Sequence, residues 1–206
     1  MLCSACVSFA LAVWSVAGYL ILRAAELRAV GSATRLSWPT AALALGSVVC
    51  APFVRETPIA AVACGVTCIG LALAAAADAR TGYLFDAITM PTGALVSILA
   101  IFGNTILESA LGALMLAGTF GAIVVCSRGR MMGLGDVKAA YAIGAAFGPL
   151  ETPLAILAAC VSGLLAAAFA GRLRAGATVS FGPHLAVGST FALVAGDFIV
   201  HRIMGL

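Results

Sequence analysis

Charge is what this chain has least of. Only 9% of its 206 residues are Asp, Glu, Lys or Arg, while 63% are hydrophobic. A soluble domain carries roughly a quarter charged residues. With so few, the chain cannot cover itself with polar surface, so its solvent is lipid. The mean hydropathy of +1.16 agrees. Also missing are the GxxxxGK[ST] phosphate loop, HExxH and GxSxG. Nucleotide, zinc-protease and serine-hydrolase chemistry therefore have no support. No cofactor and no nucleic-acid partner is implied. There is one CxxC, Cys3 to Cys6, and no second to complete a zinc site. The remaining cysteines sit mostly in apolar segments and read as small hydrophobic packing residues, Cys64 and Cys68 sharing one helix face.

What the chain does have is long apolar runs. Eight occur, at about 3–22, 38–54, 58–77, 88–102, 106–126, 136–148, 152–170 and 181–200. A spanning helix needs about 20 residues, whereas barrel strands need about 10 and alternate in polarity. The expected class is all-α: one multi-pass transmembrane bundle of about eight helices over residues 1–206, without a soluble domain. The fourth and sixth runs are short and must extend into turns or be covered by neighbours. No Lys or Arg precedes the first run, whereas Arg23 and Arg28 follow it. It reads as an uncleaved helix with its N-terminus outside.

With eight spans, alternate loops share a side. The loops at 23–37, 78–87, 127–135 and 171–180, with Lys138 just beyond, hold nine of the eleven cations; the other side holds Arg55 and Arg202. Positive charge stays cytoplasmic. Asp78, Asp86 and Asp136 are thereby expected on the cytoplasmic face.

Acids at the edge of a membrane are costly and often functional. Asp78 ends an apolar run after Ala74-Ala75-Ala76-Ala77, and Asp136 opens another in Gly133-Leu134-Gly135-Asp136-Val137-Lys138. Two carboxylates sharing a water can hydrolyse a peptide: one, ionised, takes its proton, and the other, protonated, donates to the carbonyl. Like charges held close cannot both ionise, so the pair holds one proton. Asp136, at a helix N-terminus, is expected to be the base, and Asp78, at a C-terminus, the acid. Gly133 and Gly135 are expected to supply unusual backbone angles or to admit another chain closely. Glu108, Glu151, Asp197 and His201 read as interfacial polar residues, with Arg202 a partner for Asp197. Trp38 reads as an aromatic anchor.

Three stretches resemble the type IV prepilin peptidase family, membrane aspartyl proteases of the GxGD type. Gly133 to Lys138 fits GxGDxK. Asp78-x-x-Thr81-x-x-Leu84-Phe85-Asp86-x-x-Thr89-x-Pro91 fits the first-aspartate segment, and Phe181-Gly182-Pro183-His184-Leu185-Ala186-x-Gly188 fits a stretch opening the last helix. The resemblance covers about residues 60–206. It implies Asp78 and Asp136 as the catalytic pair, with Gly133, Gly135, Lys138 and Asp86 supporting, and no metal. It implies a catalytic core over 58–206, preceded at 1–57 by two helices joined by a short cytoplasmic loop. The implied substrate is a prepilin or pseudopilin precursor, cut after a Gly just before its apolar helix, at the cytoplasmic face of the bacterial inner membrane. Membrane lipid is the other partner.

Phe85 replaces a usual Pro, and His184 replaces an aromatic or apolar residue. The cytoplasmic domain with two CxxC pairs, tied in bifunctional members to N-methylation, has no room between Arg23 and Trp38. No methyltransferase activity is expected. The alternative reading is a catalytically inactive membrane subunit that aids pilus or secretion-system assembly, favoured by Phe85. An ion-coupled transporter fits poorly, because both acids sit at one face and no repeat is seen.

Overall fold

A computed structural model describes residues 4–29, 38–55, 57–81, 86–169 and 180–204. Among these there is no strand. The helices are α1 (Ser4–Ala29), α2 (Trp38–Val54), α3 (Pro58–Thr81), α4 (Asp86–Phe102), α5 (Ile106–Ser127), α6 (Leu134–Phe169), α7 (Gly182–Phe191) and α8 (Asp197–Met204). A π turn, Ala192–Gly196, joins α7 to α8 in one rod. Among the described residues there are thus seven continuous elements, where eight segments were expected. The expected sixth and seventh segments are both within α6.

Four stretches are long and apolar enough to cross a membrane by length and composition: Pro58–Ala79, Ile106–Ser127, Leu134–Phe169 and Gly182–Ile203. Cys6–Ile21, Ala44–Phe53 and Asp86–Phe102 are shorter apolar stretches. Of the α3 stretch 83% is buried, against 28% of α5, so α3 is the rod around which others pack. Its alanines at 74–77 keep it thin enough to be enclosed. Around it lie α1, α2, α4 and α7. Large apolar side chains such as Phe9, Phe53, Leu114 and Phe198 point outward, as lipid-facing residues do.

The long α6 is not straight. Gly148 leaves helical geometry (φ 65°, ψ −176°), a region open to glycine. Pro149 follows at a first-turn position, where its missing N–H costs nothing. Side-chain contacts show that the chain doubles back here. A straight helix would set residues 136 and 163 about 40 Å apart. Instead Gly163 lies against His184, two residues from Gly182, which touches Asp78, whose charge is felt at Asp136. At the other end Glu151 lies beside Gly196. The arms, residues 134–147 and 149–169, therefore run in opposite senses. The two segments expected here, 136–148 and 152–170, are these two arms, joined across the break at Gly148.

The first arm crosses α5 at two glycines. A Cβ on Gly144 would fall 2.2 Å from the carbonyl oxygen of Gly112, and one on Gly112 would fall 2.2 Å from that of Gly144. Backbone cannot yield to such a clash. Gly144→Ala should lower the Tm of the detergent-purified protein by the equivalent of about 1–3 kcal/mol. Gly118→Ala, whose nearest neighbour would be the Leu114 side chain at 4.0 Å, should not. Equal melting of the two variants would contradict this crossing.

Candidate active site

Asp78 sits in the last turn of α3 and is 5% exposed. Its Oδ2 accepts a hydrogen bond from the Ser180 hydroxyl and another, at 2.9 Å, from the Gly182 N–H. The first N–H groups of a helix lack internal partners, and a carboxylate is a natural acceptor for them. The sequence places only the C-terminus of α3 beside Asp78; the fold adds the N-terminus of α7, from a segment 104 residues away. A Cβ on Gly182 would fall 2.6 Å from that same oxygen, so a larger residue displaces the carboxylate.

Asp136 is in the first turn of α6 and half-buried. The Gly133 N–H donates to its Oδ2 at 3.3 Å, and its own N–H donates to the Gly133 carbonyl at 3.2 Å. This reciprocal pair closes the turn into the helix. Gly133 and Gly135 do not take positive φ; among described glycines Gly129 and Gly148 do. The expectation of unusual angles at the GxG is therefore corrected. What remains is openness: Gly133 is exposed, and a Cβ there would meet nothing closer than 3.8 Å.

Asp78 and Asp136 reach the same end of the bundle, near enough for the Asp78 charge to bear on Asp136. Asp86 opens α4, and its Oδ2 receives Lys138 Nζ at 2.6 Å. Lys138 thus meets the start of α4. Farther along the same two helices the Tyr141 and Ser97 hydroxyls are 2.7 Å apart. The first arm of α6 is tied to α4 at two levels. His184 packs against the second arm, its Nδ1 3.2 Å from the Ser162 hydroxyl, and beside the Phe181 ring. Phe85, the loop cations Arg35, Arg172 and Arg174, and the Trp38 side chain lie outside the described residues. No group of three or more His, Cys, Asp or Glu among the described residues is placed to hold a metal.

Two features escaped the sequence. Ser180 stands one residue before the Phe181-Gly182 stretch, and a Ser ahead of an apolar segment was a usable helix-start signal. Glu151, expected at the interface, is buried and bonded through both oxygens to Arg55 at 2.5 Å. Burial works against the charge on Arg55. The bonds to Glu151 outweigh it, and the arginine pKa lies above its ordinary value. Asp197 pairs with His201 at 3.2 Å, not with Arg202 as expected.

The model of the type IV leader peptidase family matches residues 65–168, half of the chain. The chain belongs to this family. Both aspartates fall within the match. Prepilin leader peptidase/N-methyltransferases of Burkholderia pseudomallei, strains 1026b and K96243, are each 31% identical over 146 residues, 66% of this chain. The chain spans about half the length of these curated relatives (47%). No solved structure matches it. Family membership and the long apolar helices together make this leader peptidase family member an integral membrane protein.

The Lys138–Asp86 pair tests how far this end faces water. The two side chains are 35% and 62% exposed. A double-mutant cycle with Lys138→Met and Asp86→Asn, read by thermal unfolding, should give a coupling of about 0.2–1 kcal/mol. The coupling should shrink as salt is raised. One that ignores salt would mean the pair is shielded from water.

Proposed function

We propose that this chain is a membrane aspartyl endopeptidase that removes the short basic leader from type IV prepilin-like precursors at the cytoplasmic face of the inner membrane. The observation that carries this reading is the meeting of Asp78 and Asp136, from the ends of two different helices, within electrostatic reach of each other. The Oδ2 of Asp78 accepts from Ser180 and from the Gly182 N–H at a helix N-terminus, which favours its ionised form. This reverses the assignment expected from the ends of α3 and α6. Asp78 acts as base, its Oδ1 drawing a proton from a water as the water oxygen attacks the scissile carbonyl. Asp136 acts as acid and protonates the carbonyl oxygen. Collapse of the tetrahedral intermediate passes the proton held by Asp78 to the leaving nitrogen and returns a hydroxyl proton to Asp136, which releases the new amine and the leader's carboxylic acid. The supporting residues are Lys138 and Asp86, which hold the first turns of α6 and α4 together, and Gly133 and Gly135, which admit the substrate backbone.

The excess of cations on the loops at this end supports a cytoplasmic orientation. In that orientation the precursor's apolar helix lies in the bilayer and its basic leader reaches the aspartates. The bond to be cut must leave its helix, because a helical peptide group is committed to its own ladder.

Co-expression with a candidate prepilin, followed by leader mobility shift, tests the pair. Asp78→Asn and Asp136→Asn should each slow removal by at least about 100-fold, and Asp86→Asn by much less. Removal that survives in either of the first two takes that residue out of the dyad. If the parent leaves every precursor uncut while pilus or secretion-system assembly still needs the protein, the inactive-subunit alternative replaces this reading. The names of the relatives also include N-methyltransferase. Only eight residues, 30–37, join α1 to α2 here, and none is a cysteine. Purified chain supplied with cleaved pilin and S-adenosylmethionine is expected to transfer no methyl group; transfer would mean the methylating site lies elsewhere in the bundle.

A further inference from the structure

A second polar cluster lies at the end of the bundle away from the aspartates. Arg55 follows α2, and its side chain is 9% exposed. It spans four segments. Nη1 and Nη2 each bond an oxygen of Glu151 at 2.5 Å, Nη2 also donates to the Ala192 carbonyl at 3.2 Å, and the guanidinium lies 5.5 Å from the centre of the Phe147 ring. Phe147 and Glu151 flank the Gly148 break, and Ala192 begins the π turn. Gly196, at the other end of that turn, is so close that a Cβ would lie 2.8 Å from Glu151 Oε2. A π turn is a local widening of the helix and is frequent at functional sites.

The rod from Gly182 to Ile203 is thus held by charged groups at its start and about midway along it. At one end the Gly182 N–H bonds Asp78; about 15 Å along the rod, the Ala192 carbonyl bonds Arg55. Between them there is a neutral hydrogen bond, His184 Nδ1 with the Ser162 hydroxyl at 3.2 Å, and otherwise small-residue packing and a thiol contact. Gly188 lies against Ala155 and Ala159, and the Ser189 and Thr190 hydroxyls meet the Cys68 thiol, a weak partner. A rod fixed at two points by charge-assisted bonds has its axial setting decided there.

We propose that Arg55, held by Glu151, is a positioning residue for the reaction: it sets the height of the last helix and thereby seats the Gly182 N–H and the Ser180 hydroxyl on Asp78 from about 15 Å away along that helix. The catalytic consequence rests on the dyad reading given above. The structural one does not.

Single removal of either charge leaves its partner buried alone and endangers folding. The test therefore uses Arg55→Met with Glu151→Leu, which removes both, and Arg55→Lys, which keeps the charge without the planar fork. Hydrogen exchange of the backbone over 180–186 is compared with that over α5, and kcat and KM are measured on a cleaved precursor. In the double variant exchange over 180–186 should quicken by about tenfold or more with α5 unchanged. Its kcat should fall by about tenfold with little change in KM. Arg55→Lys should lie between parent and double variant. Exchange over 180–186 equal to that of the parent, or quickened equally in α5, overturns the proposal. So does a kcat that holds while KM rises. Should the parent cleave no precursor, the peptidase reading fails, and exchange alone still decides the positioning role. If the double variant does not fold, Arg55→Lys decides it by the same two measurements.

Discussion

Lipid offers a polar group no partner, and that constraint organises the buried polar contacts of this bundle. Asp78 lies almost fully covered at the end of an apolar helix, so something in the protein must face its oxygens. The chain supplies the start of α7: the Gly182 N–H, free by its position in a helix, and the Ser180 hydroxyl beside it. Arg55 and Glu151 solve the same problem at the far end by taking each other. Burying such a pair gains little stability of itself. What it provides is a fixed geometry, because the arginine fork accepts few orientations. The exposed Lys138–Asp86 pair contributes less energy but joins the helix that carries Asp136 to the one that follows Asp78.

The second organising element is the reversal at Gly148. Without it α6 would carry its second arm away from Asp136. With it, both arms serve the same end of the bundle. The first presents Asp136, and the second packs along α7 through Ala155, Ala159 and Gly163. Arg55 and Glu151 sit at this reversal, so one cluster braces the bend in α6 and the π turn of the last helix together. Small residues make the braced packing dense: at Gly112 and Gly144 two backbones meet with no side chain between them. Apolar attraction between helices is weak in lipid, and such close contact takes its place.

Much of this was legible in the linear order of residues. The borders of the apolar runs at 38–54, 106–126 and 181–200 lie within a few residues of α2, α5 and the last rod, because a helix in lipid must satisfy its own backbone and so extends as far as the apolar run. Asp78 and Asp136 stood out for the same reason: an acid at such a border is expensive. The pairings were not legible. Arg55 and Glu151 are 96 residues apart and Ser180 and Asp78 are 102 apart. Nothing local marks either bond, and Glu151 read as an ordinary interfacial acid. The glycines before Asp136 were misjudged in conformation, since a GxG motif does not say whether it bends the chain or only leaves space.

Linear order alone was enough to say that this is a helical membrane protein, where most of its apolar helices lie, and which two acids stand at their ends. Those are properties of composition and local order, set by the transfer of each segment into lipid. The packing of the helices settled the rest: that the two acids lie at one end of the bundle, that α7 caps one of them, and that a buried arginine braces the last helix about midway along it. Such contacts depend on which helix faces lie together, and many apolar faces here are interchangeable to lipid. Close approach at small residues and the need of each buried charge for a partner select one arrangement among them.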